Sequence, residues 1–149
     1  MKHHRVNLFL YYLIQFSWGL IQNCLGFLIY VFLMIKNPMR RRGRFNGSRI
    51  ITWSLSSSAA LGIFIFLSES LVAHPTRVVV HEYGHTIQSC ILGPLYLFII
   101  GIASFIWAQF PAFKRKRRAG KYTYSVFYPE KWANYLGHKY TGLPSIDEC

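Results

Sequence analysis

Apolar residues run almost without interruption over residues 8–35, and the polar members are few: Gln15, Ser17, Gln22 and Asn23. A membrane-spanning helix needs about 20 apolar residues. The run therefore predicts one transmembrane anchor helix, able to cross with tilt. The basic start at residues 1–5 resembles the opening of a signal peptide. The apolar run is too long for a signal core, and no small-x-small cleavage site follows it, so the expectation is a retained anchor over residues 1–35.

A basic loop is expected next. Residues 36–49 hold Lys36, Arg40, Arg41, Arg42, Arg44 and Arg49, with Pro38, Gly43 and Gly47 between them. Over 49–68, Ile50, Ile51, Trp53 and Leu55 partly alternate with polar residues, Ser56-Ser57-Ser58 can turn the chain, and Ile63-Phe64-Ile65-Phe66 is β-prone. That pattern predicts a short β-hairpin, with a second spanning helix over 53–73 as the competitor. His74-Pro75 reads as a helix start, since proline suits the first turn. The helix is expected to run to about Leu92, where Gly93-Pro94 stops it.

Residues 95–110 form a second apolar segment, broken by Gly101 and ended by Pro111. At about 1.5 Å rise per residue it barely spans a bilayer. A second basic cluster follows: Lys114, Arg115, Lys116, Arg117, Arg118 and Lys121. Basic loops favour the cytoplasmic side, and one full crossing between the two clusters would separate them. Re-entry or shallow burial of 95–110 is the expectation. Residues 122–128 are aromatic and suit a membrane interface. Pro129 then opens a last helix through Leu136, with Gly137 as its cap and a loose tail to Cys149.

Composition sharpens this picture. The 149 residues suffice for one domain with a modest core, and the chain is 52% hydrophobic yet carries a net charge of +12. A nucleic-acid binder shares the charge but rarely the long apolar runs, and no nucleic-acid motif is present. Basic clusters that flank apolar segments point instead to a bilayer with anionic lipids as partner. Cys24, Cys90 and Cys149 have neither metal-ligand spacing nor the look of a disulfide framework.

The chemistry is carried by His81-Glu82-Tyr83-Gly84-His85, an H-E-x-x-H pattern. On a helix, positions i and i+4 share a face, with Cβ atoms about 5–6 Å apart. Two imidazoles so placed can bind one Zn²⁺ at about 2.0–2.1 Å. Glu82 beside them is positioned to act as general base. A pair of ordinary core histidines is the competing reading, but an ionisable Glu between them would then need its own buried partner. Gln88 shares the histidine face and can orient a ligand or donate to a substrate carbonyl.

A catalytic zinc takes three protein ligands. The remaining acids are Glu69, Glu130, Asp147 and Glu148. Asp147 and Glu148 sit in the tail, and the Ser-Glu-Ser setting of Glu69 suggests an exposed turn. Glu130 is the best candidate, with Asn134 on its face at i+4 and His138 as a fallback ligand. The competing role for Glu130 is a helix N-terminal carboxylate favoured by the macrodipole.

Glu130-x-x-Ala133-Asn134 resembles the second motif of gluzincin metallopeptidases, E-x-x-x-D, and is closest to the E-x-x-A-D form of membrane-bound prenyl-protein endopeptidases. That likeness implies that Glu130 completes the zinc site and that Asn134, standing where Asp is usual, orients a motif histidine. The H-E-Y-G-H motif followed by Gly93 and Ile100-Gly101 is similar to site-2 intramembrane proteases, but their Asp-Gly ligand motif has no counterpart here. Residues 50–137 also look like small bacterial membrane proteins that pair H-E-Y-G-H-x-x-Q-S with E-K-W-A-N.

The resulting expectation is a mainly α membrane protein with an anchor helix, a short β-hairpin, a zincin-like active-site helix and a second ligand-bearing helix. Residues 36–149 would form the metallopeptidase domain, in the bacterial cytoplasmic membrane with the site facing the cytoplasm. It would hydrolyse peptide bonds of membrane or membrane-proximal polypeptides. The alternatives are a non-catalytic zinc-binding partner in a larger complex, and a small basic membrane protein with an accidental motif.

Overall fold

The apolar run at the N-terminus is two helices rather than one. In the computed structural model, which describes residues 6–70, 75–119 and 126–146, α1 (Leu8–Ser17) and α2 (Leu20–Lys36) meet at 93°. The single anchor helix expected from hydropathy is thereby corrected, and the polar residues within the run supply the reason. Gln15, Gln22 and Asn23 are all buried. Asn23 Nδ2 donates to the main-chain oxygens of Gln15 (2.6 Å) and Gly19 (2.9 Å), which fixes the bend. Its Oδ1 accepts from the Ile63 amide at 2.9 Å. Gln15 Nε2 donates to Thr86 O, and Gln22 Nε2 donates to Ser89 Oγ and Gly93 O, each at 2.9 Å. Buried amides gain most when such partners are within the protein, so the bent pair is docked on the next long helix.

The basic loop also contains structure that the sequence reading missed. β1 (Arg42–Phe45) and β2 (Ser48–Trp53) form an antiparallel hairpin closed by Asn46-Gly47, both at positive φ (44° and 89°). Asn-Gly suits that tight hairpin turn. β3 (Ala59–Leu61) and β4 (Phe64–Ser68) form a second hairpin, and β2 pairs parallel to β4. The hairpin expected over 49–68 is thereby corrected. Its two arms, β2 and β4, run parallel because the serine run leads into β3 and the tight turn falls at Gly62 (φ 59°). The result is a four-stranded mixed sheet ordered β1-β2-β4-β3, and residues 53–68 form strands and loop where the competing helix would begin. Ile51, Ile65 and Phe66 from this sheet are fully buried and share a core with Tyr83 and Ile87 of α3 (Pro75–Leu92).

α3 has the predicted extent, although His74 lies outside the described residues. A 3₁₀ turn (Gly93–Leu95) and a π-helical stretch (Leu97–Ile102) lead into α4 (Ala103–Gln109), and the chain bends by 117° between residues 95 and 97. The second basic cluster forms α5 (Pro111–Arg118). Lys121 and residues 122–125 of the expected interfacial aromatic stretch lie outside the described residues. The last helix, α6 (Tyr128–Thr141), opens with Pro129 as predicted but continues past Gly137 to a left-handed cap at Gly142 (φ 73°). Among the described residues the protein is mainly helical, at 63%, and no single helix there is long and apolar enough to cross a membrane. The pairs α1–α2 and residues 76–107 pass that test only as bent units.

Gly137 is not a cap because it is needed where α3 and α6 touch. A Cβ there would overlap the Val80 carbonyl, and a Cβ on Gly84 would overlap the Ala133 carbonyl. Main chain cannot retreat as a flexible side chain can. Gly84→Ala is therefore expected to destabilise the fold by about 1–3 kcal/mol, read as a lowered thermal midpoint. An unchanged midpoint would show that the crossing is looser than described.

Candidate metal centre

The α3–α6 crossing sets the site. His81 and His85 lie one turn apart on α3, and Glu130 sits in the first turn of α6 directly opposite. Glu130 Oε2 is 3.1 Å from His81 Nε2 and 3.4 Å from His85 Nε2. The two imidazoles are nearly perpendicular, with ring centroids 4.8 Å apart. All three side chains are buried, and one ligand atom from each lies within 4.8 Å of the others. Among the described residues this is the one His/Cys/Asp/Glu group arranged to hold a metal ion.

The ring orientations are imposed from behind. His81 Nδ1–H donates to Asn134 Oδ1 at 2.7 Å, and His85 Nδ1–H donates to Gln88 Oε1 at 2.7 Å. An amide oxygen can only accept, so each Nδ1 carries a proton, and each Nε2 is turned toward Glu130, where it would hold a metal ion. The amides are themselves held. Ser145 Oγ donates to Asn134 Oδ1 at 2.6 Å, and Gln88 Nε2 donates to Pro129 O at 2.8 Å. Gln88 thus ties His85 on α3 to the turn of α6 that bears Glu130. Gln88→Leu is expected to weaken divalent-cation affinity by about 10–100-fold, measured by chelator competition. Unaltered affinity would show that the His85 ring is held by other means.

Glu82 is 4% exposed and stands outside this donor set. Burial pushes its carboxyl up to about 8, against the pull of His81 and helped by the Glu130 carboxylate. For Glu130, burial acts in the same upward direction, but the bonds to His81 and His85 outweigh it and hold the carboxyl well below the usual range. Glu82 Oε2 and Glu130 Oε1 are both buried without a hydrogen-bond partner. Unsatisfied buried carboxylate oxygens call for an explanation. Here both residues line a cleft of about 460 Å³, so each has a free oxygen at a place where a cation and a reactant fit.

β3, the edge strand of the sheet, forms one wall of the cleft together with Ser56, Ser57 and Ser58. Tyr96 and Ile100 form another. Tyr96 is 3% exposed, and its hydroxyl donates to Ala60 O of β3 at 2.9 Å. Sequence reading missed Tyr96 because nothing marks one tyrosine within an apolar stretch. It missed Ser145 because the tail after the expected cap at Gly137 read as loose, whereas Ser145 is fully buried against Asn134.

The other candidates are placed elsewhere. Glu69 is exposed and pairs with Arg40 at 2.8 Å, as its turn-like setting suggested. His138, the fallback ligand, donates from Nδ1 to Leu143 O at 3.1 Å and is not in the metal-holding group. Asp147 and Glu148 lie outside the described residues. No family model, no curated protein and no solved structure matches this chain.

Proposed function

We propose that this chain is a membrane-associated, zinc-dependent metallopeptidase acting on membrane or membrane-proximal polypeptides. The observation that carries this reading is the convergence of His81 Nε2, His85 Nε2 and Glu130 Oε2, with the carboxyl of Glu82 beside them in an open cleft. Two imidazole nitrogens and one carboxylate oxygen are a donor set that catalytic zinc uses. The fit is supported by the two Nε2 atoms turned inward and by the free oxygen on Glu130. When bound, zinc lowers the pKa of a water toward neutrality and polarises a carbonyl.

The chain's own residues supply the rest. Glu82 takes a proton from the attacking water and delivers it to the nitrogen of the departing amine. Its raised affinity for protons suits a group that must hold one between the two transfers. β3 offers a strand edge along which an extended substrate can align by main-chain pairing, and Tyr96 fastens the middle of that strand.

Membrane association rests on exposed apolar side chains. Phe9, Leu28, Phe32 and Ile35 project from α1 and α2 with more than half their surface free, as do Phe98 and Phe105 beside the cleft. So many large exposed apolar groups mark a lipid or partner surface. The basic segments favour the cytoplasmic side of a bacterial membrane containing anionic lipids as the setting of the site.

The test is peptide hydrolysis by the detergent-purified chain, with and without a chelator. Turnover that is abolished by the chelator and restored by Zn²⁺ is expected. Zinc bound at one per chain with no hydrolysis of any peptide pool would reduce the protein to a non-catalytic metal-binding partner.

A further inference from the structure

A cavity of about 650 Å³ shares no lining residue with the candidate metal centre. It opens where α2 ends and the first hairpin begins, and its walls include Arg40, Arg41, Arg42, Met39, Leu67 and Glu69. Three consecutive arginines face one carboxylate, so positive charge is in excess. Glu69 pairs with Arg40, whose Nη1 also donates to Thr52 O at 3.0 Å. The Arg40 side chain is 9% exposed, and its Nε is buried with no hydrogen-bond partner. A buried guanidinium with a spare donor is incomplete. Guanidinium groups match phosphate oxygens in geometry and charge.

We propose that this cavity binds the phosphate of an anionic lipid head group. Its position favours a lipid over a free anion. The exposed apolar residues Leu28, Phe32 and Ile35 on α2 lead directly to Lys36, and Met39 at the rim is 90% exposed. An acyl chain can lie along that apolar face while the phosphate meets Arg40, Arg41 and Arg42. The cavity thus marks the depth at which hydrocarbon gives way to head groups. This rests on the membrane half of the reading above and not on the metal chemistry, so either can fail alone.

The test is native mass spectrometry of the full chain in an uncharged detergent, titrated with phosphatidylglycerol or phosphatidylcholine. No charged surface is present there, so arginines outside the cavity contribute little. One phosphatidylglycerol per chain is expected, with much weaker retention of phosphatidylcholine. Arg41→Gln with Arg42→Gln is expected to weaken retention by roughly tenfold for each arginine. Both are exposed, so the fold does not depend on them, and each single substitution is measured alongside. Arg44→Gln with Arg49→Gln, outside the cavity, is expected to leave retention unchanged. Equal losses in the two double variants would reduce the effect to diffuse charge and overturn the site, as would equal retention of the two lipids. Displacement of the lipid by millimolar inorganic phosphate would overturn the lipid assignment and make the free anion the ligand.

Discussion

Replacing Glu130 by alanine is expected to lower divalent-cation affinity by at least about a hundredfold. Outer groups that merely orient ligands are worth about 10–100-fold, and Glu130 is proposed as a ligand in its own right. It is the carboxylate that approaches both imidazoles, at 3.1 and 3.4 Å, and it is fully buried. Without it, two neutral nitrogens remain, with no negative charge to offset a buried dication. Glu130→Gln keeps the side chain's shape and separates this electrostatic loss from a packing defect in α6. Metal content after dialysis against a weak chelator reads both variants. Affinity equal to wild type in the glutamine variant would mean that another group completes the site.

Glu82→Gln is expected to behave in the opposite way, keeping the cation while losing about 10²–10⁴-fold in turnover. The substitution is nearly isosteric, and Glu82 is not one of the three residues whose ligand atoms converge. What disappears is a group able to accept and return a proton at the cleft wall. Single-turnover hydrolysis by metal-loaded protein checks this. Wild-type turnover in the variant would remove Glu82 from the role of base. Loss of metal together with activity would show that Glu82 is a ligand and not a proton carrier.

The candidate metal centre was readable in the sequence because its geometry is local. His81 and His85 are fixed by one helical turn, and Gln88 follows on the same face. Glu130 and Asn134 repeat the i, i+4 spacing on the second helix, so a single crossing angle brings all five together. The bend in the N-terminal run was missed for the converse reason. Hydropathy treats Gln15, Gln22 and Asn23 as tolerated interruptions, yet with Gly19 and Gly26 they recur at three- and four-residue steps and are all buried. That periodicity marks a face packed against protein. β1 was hidden because its arginines read as loop, although Asn46-Gly47 carried the turn signal. Gly137 misled as a cap because a glycine that ends a helix and one that admits another helix look alike in one dimension. The spacing of Ala133 and Gly137, matched by Val80 and Gly84 across the crossing, distinguishes them.

X-ray absorption at the zinc edge on protein reconstituted with one equivalent of Zn²⁺ tests the convergence of His81, His85 and Glu130 most directly. Nitrogen and oxygen neighbours at about 2.0–2.2 Å are expected, with the scattering signature of two imidazoles that falls to one in His85→Ala. A sulfur neighbour at about 2.3 Å, or a spectrum indifferent to substitution of His81, His85 and Glu130, would place the metal elsewhere and contradict the proposed site.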